Sequence, residues 1–196
     1  MPEDLRPPEL ELRTRLLTDE VREGDRVVDL GCGAGTFTRV AADAGAGSVI
    51  GVDVAEAALV RARAADPELD FRLVPFEGPL PLEDSGADLV WCSEVIEHVA
   101  DTAAWLSEVR RVLAPGGRLL LTTPAHDRLR LLLHGIERYS DPQGDHLHLY
   151  TGRSLRTLLD EFGFAESRVW AASGPPLLRR TLVARAVRPA VRVNRS

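Results

Sequence analysis

An apolar, β-branched run, Val27-Val28-Asp29-Leu30, leads directly into Gly31-Cys32-Gly33-Ala34-Gly35, and no other feature restricts the fold of this chain as much. The run predicts a strand over 26–30. Its three alternating glycines let the backbone turn tightly and approach a ligand where a Cβ would clash. Thr36 to Ala44 then reads as a helix that stops at Gly45 and Gly47. The unpaired N–H groups at that helix start would stand at the mouth of a sheet. Such an arrangement suits a nucleotide-like ligand at the C-terminal ends of parallel strands.

The rest of the chain continues the alternation. Leu10, Leu12, Leu16, Leu17 and Val21 predict a helix over about 8–21, with Pro7 and Pro8 at its tolerant start. Strands are predicted at 48–52, 69–74, 87–92 and 118–123, and helices at 55–65 and 101–113. The proline-rich stretch 75–86 reads as loop, and Pro115-Gly116-Gly117 as a turn. Nearly all-apolar strands alternating with helices indicate a parallel sheet covered on both faces. Beyond residues 124–150, a helix over 151–162 precedes strands at 164–172 and 180–187. Their short connection, Ser173-Gly174-Pro175-Pro176, forbids a parallel crossover, so those two strands must pair antiparallel. The reading is an α/β chain with a seven-stranded, mostly parallel sheet, one domain over 1–196.

Composition narrows the function classes. The 196 residues carry a net charge of −6 and contain no lysine, so arginine abundance reflects residue bias and the surface does not advertise nucleic-acid binding. The cluster Arg179, Arg180, Arg185, Arg188, Arg192 and Arg195 reads as a solvated strand and tail. No apolar run approaches the roughly 18 residues of a membrane span. MPEDLRPPEL lacks the pattern of a secretory signal, so a cytoplasmic location is expected. Cys32 and Cys92 lack metal-ligand spacing and read as reduced, small apolar residues.

A glycine turn alone is a weak signal, and a dinucleotide turn would want glycine where Thr36 stands. The second half strengthens it. Ile50-Gly51-Val52-Asp53 places an acid at the end of the next strand, where a carboxylate can accept from both hydroxyls of a ribose. With these residues the chain resembles the class I S-adenosylmethionine-dependent methyltransferases, small-molecule type. VDLGCGAGTF is similar to their first motif and GVDV to their second. The stretch 80–90, the segment Ser93-Glu94-Val95-Ile96-Glu97-His98-Val99 and the turn Leu113-Ala114-Pro115-Gly116-Gly117 resemble the later ones, in the expected order. The resemblance covers about residues 24–188 and implies a Rossmann-like, doubly wound fold. It also implies that Gly31, Cys32, Gly33 and Gly35 form the turn holding the methionine part of S-adenosylmethionine, with Asp29 beside its ammonium. Asp53 would take the ribose, and Val54 would pack on adenine. The acid that often meets the adenine amino group falls on Phe76, so Phe76 would stack while Glu77 makes the polar contact. Asp29 could instead be a structural carboxylate. Asp88 reads as ordering its own loop.

Methyl transfer from a sulfonium is an in-line displacement that needs alignment, exclusion of water and, for a hydroxyl, removal of a proton. No metal is required. By topology Ser93 and Glu94 stand near the reaction. Glu97 and His98 read equally as a polar pair capping the next helix. The long segment 124–150 holds four of the five histidines and begins on the ligand side of the sheet. Leu129, Leu131, Leu132 and Leu133 would form a short helix acting as a lid. In a period-2 reading His146, His148 and Tyr150 share one side. His146 is the candidate general base or acceptor-orienting residue and Tyr150 a pocket wall, although His146 could merely tie the segment down. A metal set of Asp141, Asp145, His146 and His148 has no fixed geometry, and the reading assigns no metal. The acceptor is expected to be a small molecule, oxygen favoured over nitrogen or carbon. Two alternatives are a non-catalytic cofactor-binding module and, disfavoured by Thr36, a nicotinamide-dependent oxidoreductase.

Overall fold

The computed structural model describes residues 9–75, 78–126, 146–174 and 180–190. Helix α1 (Leu10–Glu20) precedes the alternating units β1 (Arg26–Leu30), α2 (Thr36–Asp43), β2 (Ser48–Asp53), α3 (Glu56–Ala65), β3 (Asp70–Leu73), β4 (Ala87–Ser93), α4 (Thr102–Val112) and β5 (Leu113–Pro124). Helix α5 (Gly152–Glu161), β6 (Ala165–Ala172) and β7 (Thr181–Val187) follow. The seven strands form one sheet in the order β3-β2-β1-β4-β5-β7-β6. Pairing is parallel from β3 through β5, and β7 runs antiparallel to both β5 and β6. The predicted antiparallel pair is therefore present.

Strand β4 shows why the alternation of faces cannot be read from its apolar sequence. Leu89 and Trp91 point to one side, where Leu17 of α1, Phe37 of α2 and Leu120 complete a core. Val90 and Cys92 point to the other and meet Leu106 and Val109 of α4 and Leu155 and Leu159 of α5. A strand buried on both faces carries no polar alternation. The Phe37 and Trp91 rings meet edge-on, 5.5 Å apart at 66°.

Two local readings change. The predicted helix over 101–113 ends at Val112, and β5 begins immediately at Leu113 rather than at 118. Pro115-Gly116-Gly117 thus lies within an extended run whose pairing with β4 shifts register between Ala87 and Leu89. Asp88 does not order its own loop. It accepts from the backbone N–H, Nε and Nη2 of Arg26 at 2.9 to 3.0 Å, tying the start of β4 to the start of β1. Among the described residues no helix is long and apolar enough to cross a membrane.

The order β2-β1-β4 makes the sheet reverse its winding between β1 and β4. That switch point opens a crevice at the C-terminal strand ends. Leu30 pairs with Val52 on one side and Cys92 on the other, so the ends of β1, β2 and β4 lie together at this edge.

Candidate active site

The turn after β1 is shaped by the strands on either side. Gly31 has φ of +75°, and a Cβ there would fall 2.3 Å from Cγ2 of Val95. The N–H groups of Gly31 and Cys32 both donate to the carbonyl of Val52, at 2.8 and 3.0 Å. Asp53 completes the cradle. One carboxylate oxygen accepts from the Gly33 N–H and the other from the Ala55 N–H, each at 2.8 Å. Each carboxylate oxygen can accept twice, so the half-buried Asp53 keeps acceptor capacity on the cavity it lines. Asp29 lies beneath the turn, buried, and accepts from the Thr38 hydroxyl at 2.7 Å. Burial pushes its carboxyl up to about 7, the Thr38 hydrogen bond opposes this, and the charge of Asp53 adds to it. Cys32 is buried too, and burial raises its thiol. Cys32 and Cys92 are both free thiols.

A cavity of about 820 Å³ runs along the crevice. Asp53 and the exposed Val54 line it on the β2 side and Glu94 and His98 on the β4 side, Gly31 and Val95 adjoin between them, and α4 contributes Trp105 and Glu108. The α4 wall was not legible in the sequence, where the helix reads only as cover for the sheet. Glu108 accepts from the Leu80 N–H at 2.8 Å and pairs with Arg111 at 2.7 Å, holding the loop before β4. An acid with spare acceptor capacity at one end, apolar walls and an open turn fit an adenosyl group. Gly33, Gly35, Cys32, Asp29 and Ser93 are not among the cavity's lining residues.

At the end of β4 the backbone leaves the extended region. Glu94 has φ of +55°, uncommon for a residue with a side chain and costing on the order of 1 kcal/mol. Three contacts hold it. Its N–H donates to the Thr122 carbonyl at 2.9 Å, and its carboxylate accepts from the Thr122 hydroxyl at 3.0 Å. The same oxygen pairs with Arg13 of α1 at 2.9 Å, and Arg13 is itself buried. Burial raises the Glu94 carboxyl, with Arg13 opposing. The Ser93 and Thr122 hydroxyls share a hydrogen bond of 3.0 Å.

One turn further, Glu97 is fully buried. Its Oε2 accepts from the Thr123 hydroxyl at 2.9 Å, and its Oε1 is enclosed without a hydrogen-bond partner among the described residues. Burial pushes this carboxyl up to about 7, and the charge of Glu94 adds to the rise. The Glu97 carbonyl accepts from the N–H groups of Leu147 and His148 at 2.7 and 3.1 Å, docking the segment before α5. That segment alternates: Leu147 and Leu149 are exposed, while His146 and His148 are half-buried and Tyr150 is buried. His146 faces His98, ring centroids 4.7 Å apart at 76°. Tyr150 does not line the cavity. It packs in the core with its hydroxyl 3.5 Å from that of Thr102, because its position in the alternation turns it under α4. Phe76, Glu77, the predicted lid helix, Asp141 and Asp145 lie outside the described residues.

A family model described as a methyltransferase domain matches residues 3–166. The chain belongs to this family, and its class is that of the class I S-adenosylmethionine-dependent methyltransferases. A crystal structure of an S-adenosylmethionine-dependent methyltransferase from Mesorhizobium loti superimposes with a TM-score of 0.73 at 27% identity, covering 92% of this chain and 97% of that one. Ubiquinone biosynthesis O-methyltransferase of Pseudomonas aeruginosa is 36% identical over 104 residues, 51% of this chain and 44% of that protein. The 27-O-demethylrifamycin SV methyltransferase of Amycolatopsis mediterranei is 38% identical over 124 residues, 57% of this chain and 45% of its own length. The chain spans less than half the length of these two curated relatives.

Proposed function

We propose that this chain transfers the methyl group of S-adenosylmethionine to a hydroxyl oxygen of a small molecule. The carrying observation is that a single cavity joins Asp53 and the glycine turn to Glu94 and His98. Bound S-adenosylmethionine supplies an electrophilic methyl group on a sulfonium. Asp53 accepts from the ribose hydroxyls with the capacity that Gly33 and Ala55 leave it, and Val54 covers the adenine. The turn at Gly31, Cys32, Gly33 and Gly35 lets the methionine part approach the backbone, with the Asp29 carboxyl buried beneath it.

The acceptor side has the groups that an O–H acceptor requires. His146 stands beside His98 and orients the acceptor or takes its proton, and Glu94 and Ser93 hold the adjoining wall at the end of β4. Burial of Glu97 and Tyr150 behind them keeps water out, which strengthens each polar contact in front. One relative named an O-methyltransferase and another named for a 27-O-demethyl compound support oxygen as the acceptor atom.

Calorimetry with S-adenosylhomocysteine and with NAD tests the cofactor, and consumption of S-adenosylmethionine across a panel of hydroxylated, amino and carbon-acid metabolites tests the acceptor. S-adenosylhomocysteine should bind and NAD should not, with turnover confined to hydroxylated compounds. Binding without turnover of any compound would favour the non-catalytic module.

A further inference from the structure

The segments that follow β4 and precede α5 meet in a cluster that methyl transfer does not itself demand. Glu97, His98 and His146 each present one ligand-competent atom, and these three atoms lie within 4.8 Å of one another. Glu97 is the fixed member. It is fully buried, Thr123 holds one carboxylate oxygen, and Oε1 is enclosed without a partner. An unsatisfied buried acceptor is costly, more so when charged, and a bound cation would recover that cost. His98 lines the cavity, His146 stands against it, and both histidines are half-buried. Their edge-on geometry at 76° lets nitrogens of both rings converge without stacking.

Two imidazoles and one carboxylate form a donor set for a borderline divalent cation and leave at least one coordination position open. Metal–donor lengths of about 2.0–2.2 Å place tetrahedral donors about 3.3 Å apart. The donors now lie within 4.8 Å of one another, so cation binding would draw them closer together. This set differs from the Asp141, Asp145, His146 and His148 group that the sequence suggested: it uses only His146 of those and draws its other members from the end of β4.

We propose that Glu97, His98 and His146 hold a divalent cation of the zinc class, whose open position takes the acceptor hydroxyl. This rests on the oxygen-methylation reading above, with His146 then orienting the acceptor through the cation instead of taking its proton. On such a cation the hydroxyl loses its proton to water, as zinc-bound water does near pH ~7. The oxygen then forms its bond to the methyl carbon as the carbon–sulfur bond breaks. The sulfonium leaves as a neutral thioether, and the cation is unchanged.

The test uses the whole chain, dialysed against a chelator, and titrates Zn²⁺ by calorimetry and Co²⁺ by its visible d–d bands. One equivalent should bind, with Co²⁺ bands of imidazole coordination. His146→Ala and Glu97→Gln should each weaken Zn²⁺ binding by about tenfold or more. His148→Gln, which changes a histidine outside the cluster, should not. Thermal melts check folding of the Glu97 variant, and His146→Ala, at a half-buried loop position, decides the matter by itself if Glu97→Gln unfolds. Absence of stoichiometric binding at millimolar Zn²⁺, or equal affinity in His146→Ala, overturns the site. S-adenosylhomocysteine is titrated in parallel. Its binding without cation binding rejects only the cation site, whereas failure of the unaltered chain to bind it rejects the methyltransferase reading.

Discussion

The two ends of the cavity are built in different ways. At the adenosyl end the hydrogen bonds are made within a short piece of chain: Asp53 receives the Gly33 N–H across 20 residues, and Gly31 and Cys32 donate to Val52. At the acceptor end the contacts are assembled from distant segments. Glu94 is held by Arg13 of α1 and Thr122 of β5, and Glu97 by Thr123 and by the chain before α5. Fixed backbone geometry makes the first end, and side-chain packing from four elements makes the second. The first should therefore respond to changes in backbone freedom and the second to changes in side-chain chemistry.

Substitutions can separate these two modes. His146→Ala should lower turnover on the order of 10²-fold, the scale of lost activation of the acceptor hydroxyl whether directly or through a cation, while S-adenosylhomocysteine affinity stays unchanged. A parallel loss of affinity would show that the two ends are not independent. Gly31→Ala should reduce unfolding free energy by about 2–4 kcal/mol in urea, combining overpacking against Val95 with a left-handed backbone. Gly33→Ala, at φ of +54° with nothing within 4 Å of the added carbon, should cost only about 1–2 kcal/mol. Equal losses in the two variants would mean that contact with the β4 side does not shape the turn.

Asp53→Ala should weaken S-adenosylhomocysteine binding by on the order of 1–3 kcal/mol, since it strands the ribose hydroxyls and two backbone N–H groups. Unchanged calorimetric affinity would remove Asp53 from the ribose site. Asp29 gives a test that depends on pH. Its folded value of about 7 exceeds the unfolded value of roughly 3.9, so the folded chain holds the extra proton between them. Unfolding free energy from this group is then greatest below about pH 4, falls as pH rises toward about 7, and is level above. Asp29→Asn has no such loss, so melting curves of the two proteins should diverge in the variant's favour across that window. A constant gap would mean that Asp29 is ionised throughout.

Much of the adenosyl end was legible in the residues themselves. Gly31, Gly33 and Asp53 announce a turn and a facing acid because glycine's backbone freedom and the strand period act over a few residues. The alternation of apolar runs and helices likewise marked the parallel sheet, and the short loop after Ala172 required the antiparallel pair. The acceptor end was less legible. His146 and Glu94 stood out by type, but nothing in their spacing put His146 against His98, turned Tyr150 into the core or brought Arg13 to Glu94.

What the chain alone determined is thus the local part: which runs become strands, where the backbone must turn, and which acid follows the second strand. The tertiary structure decided that β7 enters between β5 and β6, and that α1, β4, β5 and the segment before α5 share one wall. The physical reason is range. Backbone conformation answers to neighbouring residues, whereas the burial of Glu97 and its neighbours exists only after distant elements have packed.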